Sequence, residues 1–186
     1  MIDADRTEAK RLFEEGLAET GYTLNTCPKV TLSHFINVPG FTELAEYMQK
    51  VWSETFSIPV WLEGMEWNPF FSALQKGAFQ IGGCSFDSHC HDPMEFFTRF
   101  ENKDTFNFSQ WISQQFQEKL AHIRLTSSFA ERKQLFIEAE DILISEMPII
   151  PICTHVHYYV HPKKWTGLKI NPSGCVDFSE VHLTAQ

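Results

Sequence analysis

Hydrophobic positions along the chain change their period several times, and each change marks a new element. Ala9, Leu12, Phe13 and Leu17 recur at helical spacing behind Asp5 and Glu8, an acid pair spaced as in a capping box, and Gly21 closes that helix. Val30, Leu32 and Ile36 then alternate with Thr31, Ser33 and Phe35, which predicts a half-buried strand that Pro39-Gly40 punctuates. From Thr42, the residues Leu44, Ala45, Met48, Val51, Trp52 and Phe56 draw one helical face. Alternation returns at Ile58, Val60 and Leu62. Strand, helix and strand across 30–62 make a βαβ unit, and such a unit implies a parallel pair with a right-handed crossover.

Asn68-Pro69 reads as an N-cap followed by a first-turn proline, with Phe70, Phe71 and Leu74 as the buried face of a short helix ending at Gly77. Phe79 to Ser85 reads as a third strand. It runs into a polar stretch, Ser85-Phe86-Asp87-Ser88-His89-Cys90-His91-Asp92-Pro93, at the strand end where α/β proteins tend to place ligand contacts. Ile112, Phe116, Leu120 and Ile123 space out a further helix. Ser128 with Glu131 caps the next, whose inner face is Leu135, Phe136, Ala139, Ile142 and Leu143 and whose end is Pro148. Ile149-Ile150-Pro151-Ile152 followed by Val156 to Val160 reads as extended chain, with the prolines favouring an edge or crossing segment. No repeat or linker interrupts residues 1–186, so the expectation is one α/β domain, a mixed sheet flanked by helices.

Bulk composition trims the functional classes. A formal charge of -9 offers no basic stripe to displace counterions, which argues against nucleic acid and anionic membrane as partners. No run approaches the ~20 apolar residues of a membrane span, and Met1 to Arg6 lacks the basic and apolar regions of a signal peptide. Aromatic residues make up 14%, enough either to fill a core or to line an apolar pocket. Five scattered cysteines are too few for a disulfide scaffold.

The order of short motifs resembles the C-terminal region of the peptide-class extracellular solute-binding proteins, the oligopeptide- and dipeptide-binding proteins of ABC importers. The motifs that carry the resemblance begin with Glu8-Ala9-Lys10-Arg11-Leu12 before Gly21-Tyr22, Glu66-Trp67 after a strand, and Gly77-Ala78-Phe79-Gln80-Ile81 before Asp92-Pro93. They continue with Ala139-Glu140-Asp141-Ile142-Leu143, Glu146-Met147-Pro148-Ile149-Ile150-Pro151, and then Val160 and Pro162. The resemblance implies a lobe of the type II periplasmic-binding-protein fold, with a first, N-terminal lobe absent from this chain. It implies a periplasmic location, an ABC transporter permease as partner, a short peptide as ligand, and no cofactor. In such proteins the peptide lies extended and pairs through its backbone, so that side-chain pockets stay permissive.

Carried over residue by residue, the resemblance puts Phe86 where the family usually has a tryptophan beside the peptide's ammonium, and His89 where it usually has an aspartate. An imidazole cannot balance a buried ammonium, so Asp87, two residues earlier on an extended chain, is the replacement carboxylate. Trp67 matches a ring lining the side-chain pocket, and Ser85 completes the expected ligand-binding set of Trp67, Ser85, Phe86, Asp87 and His89. A competing reading is a metal or metal-chelate module using His89, Cys90 and His91 with His155 and His157, since imidazole and thiolate suit zinc, nickel or copper. These spacings match no standard zinc motif. A third reading is a truncated lobe without ligand binding of its own. No nucleophile elbow or glycine-rich phosphate loop is present, and the expectation is a binding protein and not an enzyme.

Overall fold

A computed structural model of the chain describes residues 5–86, 92–103, 106–154, 156, 158–171 and 174–184. The polypeptide divides into two compact units, residues 1–85 and 86–186.

The first unit opens with helix α1 (Arg6–Glu19). Asp5 is its N-cap as predicted, its carboxylate accepting from the backbone N–H groups of Thr7 and Glu8, both at 3.0 Å. Gly21 follows the helix at φ 77°, a left-handed conformation that glycine adopts without steric cost. Next come β1 (Val30–Phe35), α2 (Phe41–Phe56), β2 (Val60–Met65), α3 (Trp67–Lys76) and β3 (Ile81–Gly83). The three strands form one parallel sheet in the order β2-β1-β3, with Leu32 opposite both Leu62 and Ile81. The βαβ unit is therefore present, and β1 is the central strand of the sheet.

The first crossover runs from β1 to β2 and the second returns from β2 past β1 to β3, and right-handed connections in opposite directions put a helix on each face. Leu32 and Val60 pack with Ala45 of α2, and Val30, Met48, Trp52, Leu62 and Ile81 surround them. Side chains one residue along point the other way, and there α3 covers the sheet through Phe70, whose ring lies 5.7 Å from Phe35, and through Leu74 against Gly82. This corrects the expectation of a half-buried strand. Leu32, Ser33, His34 and Phe35 are all buried, because a central strand between two helices has no solvent face. The cap of α3 also shifts: Glu66 is the N-cap, and Asn68-Pro69 sits inside the first turn, where proline forfeits no intrahelical bond.

The second unit holds α4 (Met94–Phe97), a 3-10 turn (Thr98–Phe100), α5 (Gln114–Leu125) and α6 (Phe129–Glu146). Ser113 and Ser128 cap the two long helices, accepting from the N–H of Phe116 and of Glu131. Ile112, expected inside α5, precedes its cap. The core joins Phe97, Phe100, Phe116, Leu120 and Ile123 to Leu135, Ala139, Ile142 and Leu143, the inner face that periodicity assigned to α6, with Phe136 packed alongside. Burying a side chain of this size is worth about 1.5–3 kcal/mol each. Asn107, fully buried, organises the loop before α5 by donating to the carbonyls of Asn102 and Trp111 at 3.0 and 2.8 Å. Two antiparallel ladders close the unit, β4 (Trp165–Thr166) with β7 (His182–Leu183) and β5 (Lys169–Ile170) with β6 (Val176–Asp177). No helix among the described residues is long and apolar enough to cross a membrane.

Candidate functional site

In a parallel sheet all strands finish on one edge, so the loops that follow them gather there. Trp67 lies two residues beyond the end of β2 and Ser85 two beyond the end of β3, which gives these two predicted site residues equivalent places at that edge. Backbone and side-chain bonds hold it. Ile36 N–H donates to the Met65 carbonyl at 2.9 Å, and the Asn37 amide donates to the Glu66 carboxylate at 2.7 Å. Asn37 takes a left-handed φ of 69°, a conformation that its short polar side chain tolerates.

Trp67 is the first residue of α3 and packs on its own helix, stacked with Phe71 one turn later at 5.3 Å and 24°. Phe35 meets it edge-on at 5.3 Å. With 47% of its surface exposed, the ring is oriented by these neighbours and still open to a ligand.

Phe86 belongs to the second unit. It stacks on Phe108 at 6.1 Å and meets Phe96 of α4 edge-on at 6.1 Å, while the Arg99 guanidinium lies 4.9 Å over its ring. The Asp92 carboxylate accepts from Met94 N–H at 2.9 Å and from Arg132 of α6. That backbone donor, with the guanidinium beside it, holds the Asp92 carboxyl below its ordinary pKa. Asp87, His89, Cys90, His91, His155 and His157 lie outside the described residues. Among those that are described, no group of three or more His, Cys, Asp or Glu residues is placed to hold a metal ion.

Two features escaped the reading of the sequence. His34, the fifth of the six residues of β1, is only 5% exposed, and among the described residues its Nδ1 has no hydrogen-bond partner. On one side its register neighbour is Gly64, where a Cβ would stand 3.5 Å from the imidazole. That pairing is invisible until the strands are aligned. The second is an open groove of about 690 Å³ in the first unit, whose lining includes Lys29, Thr31, Ser33, Trp61, Glu63 and Gln80. It lies toward the amino ends of β1 and β2, the opposite edge from Trp67 and Ser85. Lys29 holds its ammonium 4.7 Å over the Trp61 ring, and Ser33 donates to Glu63 at 2.9 Å. An exposed tryptophan on an edge strand was the available signal.

No protein-family model matches the chain. Individual relatives do. Over 177 residues it is 27% identical to the dipeptide-binding protein DppE of Bacillus subtilis, a match covering 95% of this chain and 32% of the relative. Over 183 residues it is 28% identical to the oligopeptide-binding protein OppA of the same organism, covering 97% and 33%. Among solved structures, the periplasmic oligopeptide-binding protein OppAIV of Borrelia burgdorferi superposes with a TM-score of 0.79 at 25% identity, over 97% of this chain and 36% of that one. The chain spans about a third of the length of the relatives it matches. In sequence and in fold it is thus similar to about a third of proteins that bind oligopeptides and dipeptides.

Proposed function

We propose that this chain is a substrate-binding lobe of a peptide ABC importer, corresponding over residues 1–186 to the second lobe of a two-lobed binding protein. The observation that carries the reading is the match of nearly the whole chain, by sequence and by superposition, to proteins that bind oligopeptides and dipeptides. The place of Trp67 and Ser85 at the carboxyl edge of the parallel sheet supports it, since ligands of open α/β sheets collect there.

The ligand is a short peptide in extended conformation. Its backbone pairs with exposed strand and loop backbone, so affinity depends little on its side chains. Trp67 and Phe86 serve as walls, Ser85 supplies a hydroxyl, and Asp87 or His89 meets the charged end of the peptide. No bond is made or broken. The setting is extracytoplasmic, the ligand is handed to a membrane permease, and closure over it needs a first lobe.

Titration calorimetry tests this. A pool of tripeptides to pentapeptides is titrated into the chain, first alone and then with a companion first lobe. Weak or undetectable heat alone and micromolar or tighter binding with the companion is the expected result. Silence in both arms would sink the proposal.

A further inference from the structure

The second unit holds three arginines, Arg99, Arg124 and Arg132. Two of them are committed to carboxylates, Arg124 to Glu101 and Arg132 to Asp92. Arg99, half-buried in the 3-10 turn after α4, instead holds its guanidinium carbon 4.9 Å over the Phe86 ring. Among the described residues no carboxylate or carbonyl accepts from it. The chain has 24 acidic residues against 15 lysines and arginines, so a partly buried cation without an acid is not for want of acids.

The local fold sets this position. Phe96 and Arg99 are three residues apart, so α4 and the turn after it present both on one side, where Phe96 meets the Phe86 ring edge-on at 6.1 Å. Phe108 stacks on the same ring at 6.1 Å and fixes it further. The ring attracts the guanidinium through its quadrupole and uses none of its N–H donors. Those donors form a planar fork that fits a carboxylate.

This arrangement decides which charge can stand beside Phe86. The ring is one wall of the peptide site proposed above, and a cation already occupies its surroundings. A ligand ammonium at this wall would meet a like charge at close range, a repulsion that grows as a closing site excludes water. A carboxylate would find unused donors and a charge that no physiological pH removes.

We propose that Arg99 is a specificity-determining residue, a guanidinium held at the Phe86 wall to take a carboxylate of the ligand, so that this lobe selects peptides presenting an anionic group there. The proposal rests on the importer reading above and names the chemistry of its ligand. The carboxylate is either the peptide's C-terminus or an acidic side chain, and the test separates the two.

Titration calorimetry is run on the full 186-residue chain together with its companion first lobe, using two matched peptide pairs. These are Ala-Glu-Ala against Ala-Gln-Ala, and Ala-Ala-Ala against its C-terminal amide. In at least one pair the acid is expected to bind about tenfold or more tightly than its neutral counterpart. A preference in the first pair assigns the acidic side chain, and one in the second assigns the C-terminus. In Arg99→Gln the preference should fall below about threefold with affinity for the neutral peptide unchanged, while Arg99→Lys, which keeps the charge, should retain part of it. Equal loss for acid and neutral peptides in Arg99→Gln would reduce Arg99 to packing on Phe86 and overturn the proposal. A preference that survives Arg99→Gln, or equal binding within both pairs by the wild type, overturns it too. The importer reading stands in all three cases. Failure of every peptide to bind overturns both.

Discussion

Arg132, in the first turn of α6, reaches back forty residues to place one guanidinium nitrogen on both carboxylate oxygens of Asp92, at 2.7 and 3.0 Å. The same carboxylate accepts from Met94 N–H, so one acid both starts α4 and fastens it to α6. Asp92→Asn should lower stability by about 1 kcal/mol or less, since both partners are partly solvated and the pair is screened. The folded carboxyl has a lowered pKa, so its contribution is complete above the unfolded value near 3.8 and is lost as pH falls through the folded one. Urea unfolding at pH 7 and at pH 3 should therefore show a wild-type advantage over Asp92→Asn that shrinks in acid. An advantage that stays constant between the two would assign the effect to shape and not to charge.

Adjacent glycines of β3 should respond oppositely to the same change. A Cβ on Gly82 would stand 2.6 Å from Leu74 Cδ2 and 3.2 Å from Phe79 Cδ2, whereas one on Gly83 would meet nothing within 4 Å. Gly82→Ala should cost about 1–3 kcal/mol through overpacking, and Gly83→Ala should lie within about 0.5 kcal/mol of wild type. Chemical denaturation of the pair checks this directly, with each serving as control for the other.

His34 offers a substitution expected to be tolerated. Its buried Nδ1 already lacks a partner, so His34→Leu removes a desolvated polar atom at similar side-chain volume. Stability should change by less than about 1 kcal/mol, or rise. A loss of several kcal/mol in thermal unfolding would mean that the imidazole holds a bond the buried geometry hides.

Trp67 separates packing from recognition. Trp67→Ala gives up a stacked and an edge-on ring contact, worth about 1 kcal/mol of stability, and Trp67→Phe should restore most of it. In the two-lobed assembly the alanine variant should also bind peptide roughly tenfold more weakly, the loss expected when ~1.4 kcal/mol of ring contact goes. Equal peptide affinity in wild type and variant would remove Trp67 from the binding site.

Much of the architecture was legible in periodicity. The caps Asp5 and Ser128 and the inner face of α6 follow rules that act within one or two turns, and a sequence displays such rules directly. Burial of Ser33 on the central strand was not legible, because that depends on a second crossover returning to the other side of β1. The third strand shortened from the expected Phe79–Ser85 to Ile81–Gly83 for a related reason: only residues opposite Leu32 to His34 find ladder partners. Of the candidate site, Trp67 was nominated by the motif Glu66-Trp67 and Phe86 by its spacing from Asp92-Pro93. Arg99 over Phe86 was not, since nothing local marks a cation that reaches thirteen residues back to a ring.

The strand order β2-β1-β3 also sets a schedule. The first strand to leave a ribosome is the one that needs both others, and its partners begin 30 and about 50 residues later. Until Ile81–Gly83 has emerged, β1 is a buried-type strand with one unpaired edge. Folding of this sheet during synthesis is therefore late and concerted, and the interval before β3 arrives is when the nascent chain is most open to mispairing or to a chaperone.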